Sequence, residues 1–246
     1  MKYLAIVAYS GEDYYGFQRQ NGKRSVQGEL EKQLSFLLGD PTIIKGAGRT
    51  DAGVHAKGQT FSFSGTIENI DSFLHALNRL LPEDIFVRSI QVVDDGFDAR
   101  HSCIGKIYQY QFTVNDRDPL RSKKIAQIRR DDFQFDAFLR GLSVFSGTHN
   151  FQNFTTKPED KDGFIRHVEI LDAHTEEEGN LVSVTLKADG FMRYQIRLMI
   201  GAAIRVGTSR LSVEEVAARL NQSERNIMSY KAPAEGLCLL EVLYPR

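Results

Sequence analysis

The chain has 246 residues, 41% hydrophobic and 26% charged, with a formal net charge of −1. That length suits one domain or two of about 120 residues, each with a real core, and the balance is that of an ordinary soluble globular protein. No apolar run nears the roughly 20 residues a membrane helix needs, and Met1–Tyr9, followed closely by Glu12 and Asp13, reads as a first strand rather than a signal peptide.

Residues 2–9 alternate and predict that strand. Ser25 is placed to cap a helix carrying Val26, Leu30, Leu34, Leu37 and Leu38 and closing at Gly39. A strand over 42–46 is expected next, then an alternating strand Gln59–Ser64. A helix opening at Asp71 and stopping before Pro82 follows, and then a strand over 85–93. The order β-α-β-β-α-β is that of a split βαβ unit. It recurs downstream. Tyr108, Tyr110 and Phe112 share one face of a strand over 105–113, a helix spans 132–145, and strands over 165–173 and 181–188 flank the acidic turn 175–180. A helix over 192–206, a further helix opened by the capping box Ser212–Glu215, and a closing strand Leu237–Leu243 complete the chain. The expected fold is α+β, with two pseudo-repeated split-βαβ halves of ferredoxin-like or RRM-like type. These are 1–100 and 101–246, their sheets joined around a central cleft where a site is expected.

One segment stands apart from this framework. Gly46-Ala-Gly-Arg-Thr-Asp-Ala-Gly-Val-His-Ala56 is too glycine-rich for a helix, and its glycines permit positive φ and close approach. On an extended segment residues i and i+2 project to one side, so Arg49 and Asp51 can share a pocket. A guanidinium beside a carboxylate keeps it ionised, which suits a nucleophile better than a general acid. Charge is also unevenly spread. Residues 100–130 carry eight Lys/Arg against two Asp/Glu, and 180–210 carry five against one, whereas 159–178 hold eight acids and two bases. Nucleic-acid binding needs such local positive fields, not a positive total. Cys103 and Cys238 lack metal or CxxC spacing and read as buried, reduced thiols of a cytoplasmic protein.

Arg49-Thr-Asp-Ala-Gly-Val-His-Ala56, preceded by Ala-Gly, resembles the active-site signature of the tRNA pseudouridine synthase A family. Tyr14-Tyr-Gly-Phe-Gln-Arg-Gln20 resembles the family's YYGWQRQ, with Phe17 where Trp is usual, and Phe97-Asp-Ala-Arg100 resembles its Phe-His-Ala-Arg, with Asp98 for His. Lys106-Ile-Tyr-Gln-Tyr110 resembles its [KR]-x-Tyr-x-Tyr motif, and Gly190–Gly201 its third motif. The similarities cover essentially the whole chain and are weakest over 115–180.

The resemblance implies isomerisation of uridine to pseudouridine at positions 38, 39 and 40 of the tRNA anticodon stem-loop by a homodimer. Asp51 is then the catalytic carboxylate, and Arg197 the inward arginine that pairs with it. Tyr108 stacks on the target base, and Arg49 fills the vacated space or binds the adjacent phosphate. Gln18, Arg19, Arg100, Arg121, Lys123 and Lys124 are candidate RNA contacts. On a helix over 192–206, Arg193 and Arg197 are expected one turn apart beside a buried stripe of Ile196, Ile200 and Ala203. Tyr110 and Phe112 read as plain core.

The chemistry agrees with these roles. Breaking N1–C1′ and remaking the bond at C5 involves neither net redox change nor hydrolysis, so no metal or cofactor is called for. The sequence carries no P-loop, zinc spacing or dinucleotide fingerprint. Attack at C1′, attack at C6 and removal of a sugar proton all stay open to such a carboxylate. A non-catalytic RNA-binding protein on the same scaffold would have no need of Asp51. A carboxylate-dependent hydrolase would need a second carboxylate or a metal.

Overall fold

The computed structural model describes residues 1–114, 118–128, 130–159, 163–176 and 180–245. Residues 177–179 of the expected acidic turn, Arg117 and Arg129 of the basic stretch, and Asp160 and Asp162 of the acidic one lie outside the described residues. In chain order the elements are β1 (Lys2–Tyr9), α1 (Val26–Leu38), β2 (Lys45–Gly46), β3 (His55–Ser64), α2 (Ile70–Leu80) and β4 (Ile85–Val93). Then come β5 (Gly105–Val114), β6 (Ala126–Ile128), α3 (Phe135–Ser143), β7 (Gly147–Asn150), β8 (Ile165–Glu176), β9 (Leu181–Ala188), α4 (Gln195–Gly207), α5 (Val213–Asn221) and β10 (Leu237–Leu243). The fold is α+β, in two compact units: Met1–Ile104 with Cys238–Arg246, and Gly105–Leu237. Among the described residues no helix is long and apolar enough to cross a membrane.

In the first unit β1 lies between β4 and β3, antiparallel to both. The far side of β3 pairs antiparallel with β2 at Phe61 and Ser62, and parallel with the start of β10 at His55 and Ala56. Strand alternation sends Tyr3, Ala5, Val7 and Tyr9 to one buried face. Val26, Leu30 and Leu34 are fully buried along α1, and Tyr3 stacks on Phe63 at 5.3 Å. The expected caps are in place. The Ser25 side chain accepts from Gly28 N–H, and Gly39 ends α1 in the left-handed region at φ 74°.

Three boundaries differ from expectation, each for a local reason. The strand expected over 42–46 shrinks to Lys45–Gly46 because α1 side chains satisfy the preceding backbone: Thr42 N–H donates to Ser35 Oγ at 2.8 Å and Ile44 N–H to Glu31 Oε1 at 3.1 Å. α2 starts at Ile70, since Asn69, not Asp71, caps it by accepting from Ser72 N–H at 2.9 Å. β3 starts at His55 rather than Gln59, so it takes in the end of the glycine-rich segment.

In the second unit β9 pairs antiparallel with β5 and β8, β7 adds to β8, and β6 joins the end of β5 in parallel. Tyr108, Tyr110 and Phe112 are buried on β5, and Phe112 meets Phe133 and Phe138 edge-on at 5.6 and 5.5 Å. The helix expected over 132–145 is shorter, Phe135–Ser143. α5 carries the full capping box of Ser212 and Glu215. α4 corrects the expected stripe: every one of its residues except Arg205 is buried, so it is a central helix rather than a surface one. Cys103 and Cys238 are half-buried thiols rather than buried ones.

Candidate active site

The loop carrying Asp51 is held from three sides. Thr50 is buried, its hydroxyl 2.8 Å from that of Tyr9 and its carbonyl accepting from Phe17 N–H at 3.2 Å. Burial pushes the Tyr9 hydroxyl well above its ordinary pKa, so it stays neutral. Upstream, the fully buried Gln59 donates from Nε2 to the Gly48 carbonyl at 3.2 Å, and Ala47 N–H donates to Thr60 O at 2.9 Å. Downstream, Val54 N–H closes a turn onto Asp51 O at 3.2 Å, with Gly53 at φ 80° in the position where such a turn requires a left-handed residue. Asp51 is half-buried at the head of this turn, and Arg49 is exposed. Gly46 and Gly48 do not take the positive φ expected of them. Gly46 instead makes room for a ring: a Cβ there would lie 2.4 Å from Phe17 Cε1.

The segment 10–20 forms the third side. Gly11 N–H donates to His55 Nδ1 at 3.1 Å. Gly16, at φ 98°, packs so closely that a Cβ would sit 2.6 Å from Thr50 O. Phe17 is buried against Tyr9, their ring centroids 6.1 Å apart, so the residue standing in for Trp keeps a packing role. Tyr14 donates to Asp84 at 2.5 Å under the Arg24 guanidinium, while Tyr15 is 53% exposed with Lys23 Nζ 4.3 Å from its ring. Gly16→Ala is expected to cost about 1–3 kcal/mol and to displace the Asp51 turn. Gly22→Ala is the control, because Gly22 has positive φ but nothing within 4 Å. Thermal unfolding compares them, and equal losses would show that the contact with Thr50 is unimportant.

The candidate RNA contacts of this unit differ in environment. Gln18 is half-buried. Arg19 is an ion-pair partner of buried Glu31 at 3.0 Å, and Glu31 also receives Gln27 Nε2 at 2.8 Å. Arg100 is exposed, and its N–H donates to Asp98 Oδ1 at 2.9 Å. Asp98 also accepts from His101 N–H and pairs with Lys45 at 3.3 Å. Against the upward pull of partial burial, those two N–H groups and the ammonium hold its carboxyl below the ordinary value. The residue replacing the usual His therefore caps the turn 98–102.

In the second unit Tyr108 is buried and meets Phe191 edge-on at 5.4 Å. Lys123 and Lys124 are exposed and Arg121 half-buried on a turn organised by Asp118, whose carbonyl accepts from Arg121 N–H at 3.1 Å. Arg193 does not share a helical face with Arg197, because α4 begins only at Gln195. Gln195 N–H returns to Met192 O at 3.0 Å and its Oε1 accepts from Met192 N–H at 2.9 Å, which forces Tyr194 into the left-handed region at φ 64°.

Arg197 is 8% exposed and held by a segment absent from the sequence reading. Its Nε donates to Ala232 O at 2.8 Å, and Ala232 N–H donates back to Arg197 O at 2.9 Å. One turn on, Gly201 lets this strap lie against α4, since a Cβ would fall 2.4 Å from Tyr230 O. Buried Tyr110 donates to Pro233 O at 2.9 Å, so the tyrosine read as plain core anchors the strap that fixes Arg197. Spacing alone carried no signal for a contact between residues 35 apart.

A family model described as tRNA pseudouridine synthase matches residues 5–102 and 142–245. The tRNA pseudouridine synthase A of Dictyoglomus turgidum is 35% identical, covering 97% of this chain and 97% of the relative. That of Acetivibrio thermocellus is 35% identical, covering 97% and 98%, and that of Streptococcus gordonii 33% identical, covering 99% and 98%. With the signature segment folded as a fixed turn and the similarity spanning both units, the chain belongs to the tRNA pseudouridine synthase A family of tRNA-modifying isomerases.

Proposed function

We propose that the chain converts uridine to pseudouridine at positions 38, 39 and 40 of the tRNA anticodon stem-loop, with Asp51 as nucleophile and no cofactor. The observation that carries this reading is the Asp51 turn, whose backbone is bonded before, within and after the carboxylate-bearing residue. A nucleophile whose position is fixed before substrate arrives lowers the entropic part of the barrier. In the proposed reaction Arg197 keeps the Asp51 carboxylate ionised and oriented at the same uridine. The uridine must first leave its stack at a cost of a few kcal/mol, and Tyr108 stacking on the extruded base returns about 1–3 kcal/mol. Arg49 takes the vacated space or the adjacent phosphate, and Gln18, Arg19, Arg100, Arg121, Lys123 and Lys124 contact the RNA. On this reading the two units are pseudo-repeats of one split-βαβ plan, and the enzyme works as a cytoplasmic homodimer. The test uses anticodon stem-loops with a single uridine at 38, 39 or 40, incubated in chelator and mapped chemically for pseudouridine. Conversion at one or more of these sites supports the proposal; conversion only elsewhere, or only when metal is restored, contradicts it.

The strap gives a separate prediction. Tyr110→Phe removes one hydroxyl and leaves Pro233 O without its donor, at a cost of about 1–3 kcal/mol. Loosening Arg197 in this way is expected to lower kcat roughly tenfold while RNA affinity stays within about twofold. A steady-state comparison separates the two, and an unchanged kcat would make Tyr110 a packing residue alone.

A further inference from the structure

Three cations from two segments converge on one aromatic ring at the start of α4. Lys231 Nζ lies 3.7 Å from the Tyr194 ring centroid, the Arg193 guanidinium carbon 4.8 Å and that of Arg197 5.5 Å. Arg193 also donates to the Tyr194 hydroxyl at 3.1 Å. The strap across α4 brings Lys231 there, and Thr155 fixes the Arg193 backbone by donating to its carbonyl at 2.9 Å. We propose that Arg193 and Lys231, gathered on the Tyr194 ring, form a clamp for one backbone phosphodiester of the RNA. This rests on the reading of the chain as an enzyme acting on tRNA and identifies a contact outside the candidate RNA contacts named from sequence.

The physical case begins with charge. A cation on a partly exposed ring gains about 0.5–1 kcal/mol, which does little to offset the mutual repulsion of the Arg193 and Lys231 charges held on it. An anion placed among them removes that repulsion. Three arginines elsewhere are neutralised locally: Arg19 by Glu31, Arg24 by Glu29 and Asp84, Arg210 by Asp132. Around Tyr194, among the described residues, the contacts of Arg193 and Lys231 are with the ring and its hydroxyl instead. Both cations are exposed while the ring between them is half-buried, so a chain of phosphates passing over the surface can reach them.

Backbone conformation supplies the second argument. Tyr194 is one of two non-glycine residues with positive φ among the described residues, and for a bulky residue that state costs about 1–3 kcal/mol. Glycine would adopt it without strain but would remove the platform on which Arg193 and Lys231 are set. The strain is thus retained at the residue that fixes the spacing of the two cations. A guanidinium offering two N–H groups beside an ammonium is a donor set suited to the two non-bridging oxygens of a phosphodiester.

The test reads the salt dependence of binding to an anticodon stem-loop. The double variant Arg193→Gln/Lys231→Gln is expected to bind roughly tenfold more weakly at low salt. Its log–log salt slope should be shallower by about 0.7–0.9, one phosphate's worth of released counterions. Tyr194→Leu should move the slope the same way, and Tyr194→Phe, which keeps the ring, should not. Scanning the RNA with single neutral methylphosphonates should find one position that weakens wild-type binding and leaves the double variant unaffected. A wild-type slope in the double variant, or no such position, overturns the clamp. Because Lys231→Gln changes only an exposed side chain, it preserves the readout should a Tyr194 variant fail to fold. The readout is independent of turnover: a wild-type protein that binds with this slope yet forms no pseudouridine would contradict the proposed reaction and leave the clamp standing.

Discussion

Arg197→Met is expected to reduce single-turnover pseudouridine formation by about 10²–10³-fold, the range seen when one preorganised electrostatic partner is deleted from a reacting centre. Methionine retains most of the arginine stem, so the packing of the buried helix α4 is largely preserved. What is lost is the guanidinium, and with it the Nε–H bond to Ala232 O. Leaving that carbonyl without its donor costs about 1–3 kcal/mol of stability, so the assay belongs well below the unfolding temperature of the variant. Binding of the stem-loop should weaken only modestly, since the proposed role of Arg197 is toward Asp51 and not toward the RNA backbone. Arg197→Lys is not expected to restore the rate, because an ammonium lacks the planar fork that can hold a carboxylate and a carbonyl together. An unaltered rate in Arg197→Met would reduce Arg197 to a structural residue.

Asp51→Asn is expected to have the largest effect of any single substitution, with product formation falling by about 10⁴-fold or more, as for removal of other nucleophiles. The substitution preserves size and shape. The turn closes through the Asp51 carbonyl to Val54 N–H and is anchored by Thr50, Gln59 and Gly16. Folding should therefore be intact, and stem-loop affinity should stay within about threefold. The amide has no charge and no nucleophilic oxygen of comparable strength, so attack at C1′, attack at C6 and proton removal all fail together.

Elements governed by local chemistry were legible in the sequence. β1, β4 and β10 occupy the predicted spans, and Ser25, Gly39 and Ser212 cap the helices they were expected to cap, because alternation and capping depend on residues within one turn. Where expectation missed, a side-chain bond that periodicity does not show had taken over the backbone. Glu31 and Ser35 satisfy residues 42–44 and shorten β2. The bonds between Gln195 and Met192 delay α4 and detach Arg193 from it. The burial of α4 on all sides was hidden because Arg197 and Arg205 give its sequence a polar edge, while Arg197 is in fact covered. Of the candidate contacts, Asp51 was marked by its motif alone. The Tyr110–Pro233–Ala232–Arg197 linkage and the gathering of Lys231 on Tyr194 depend on the strap crossing α4, a meeting of segments that no spacing rule encodes.

The decisive measurement is a single-turnover assay with protein in excess over a 38–40 uridine stem-loop, run in chelator for the unaltered protein and for Asp51→Asn side by side. The expected result is conversion of the bound uridine by the former, with the latter binding the same RNA and leaving it unmodified. Pseudouridine formed by Asp51→Asn at the rate of the unaltered protein would contradict the assignment of the reaction to the carboxylate on this turn.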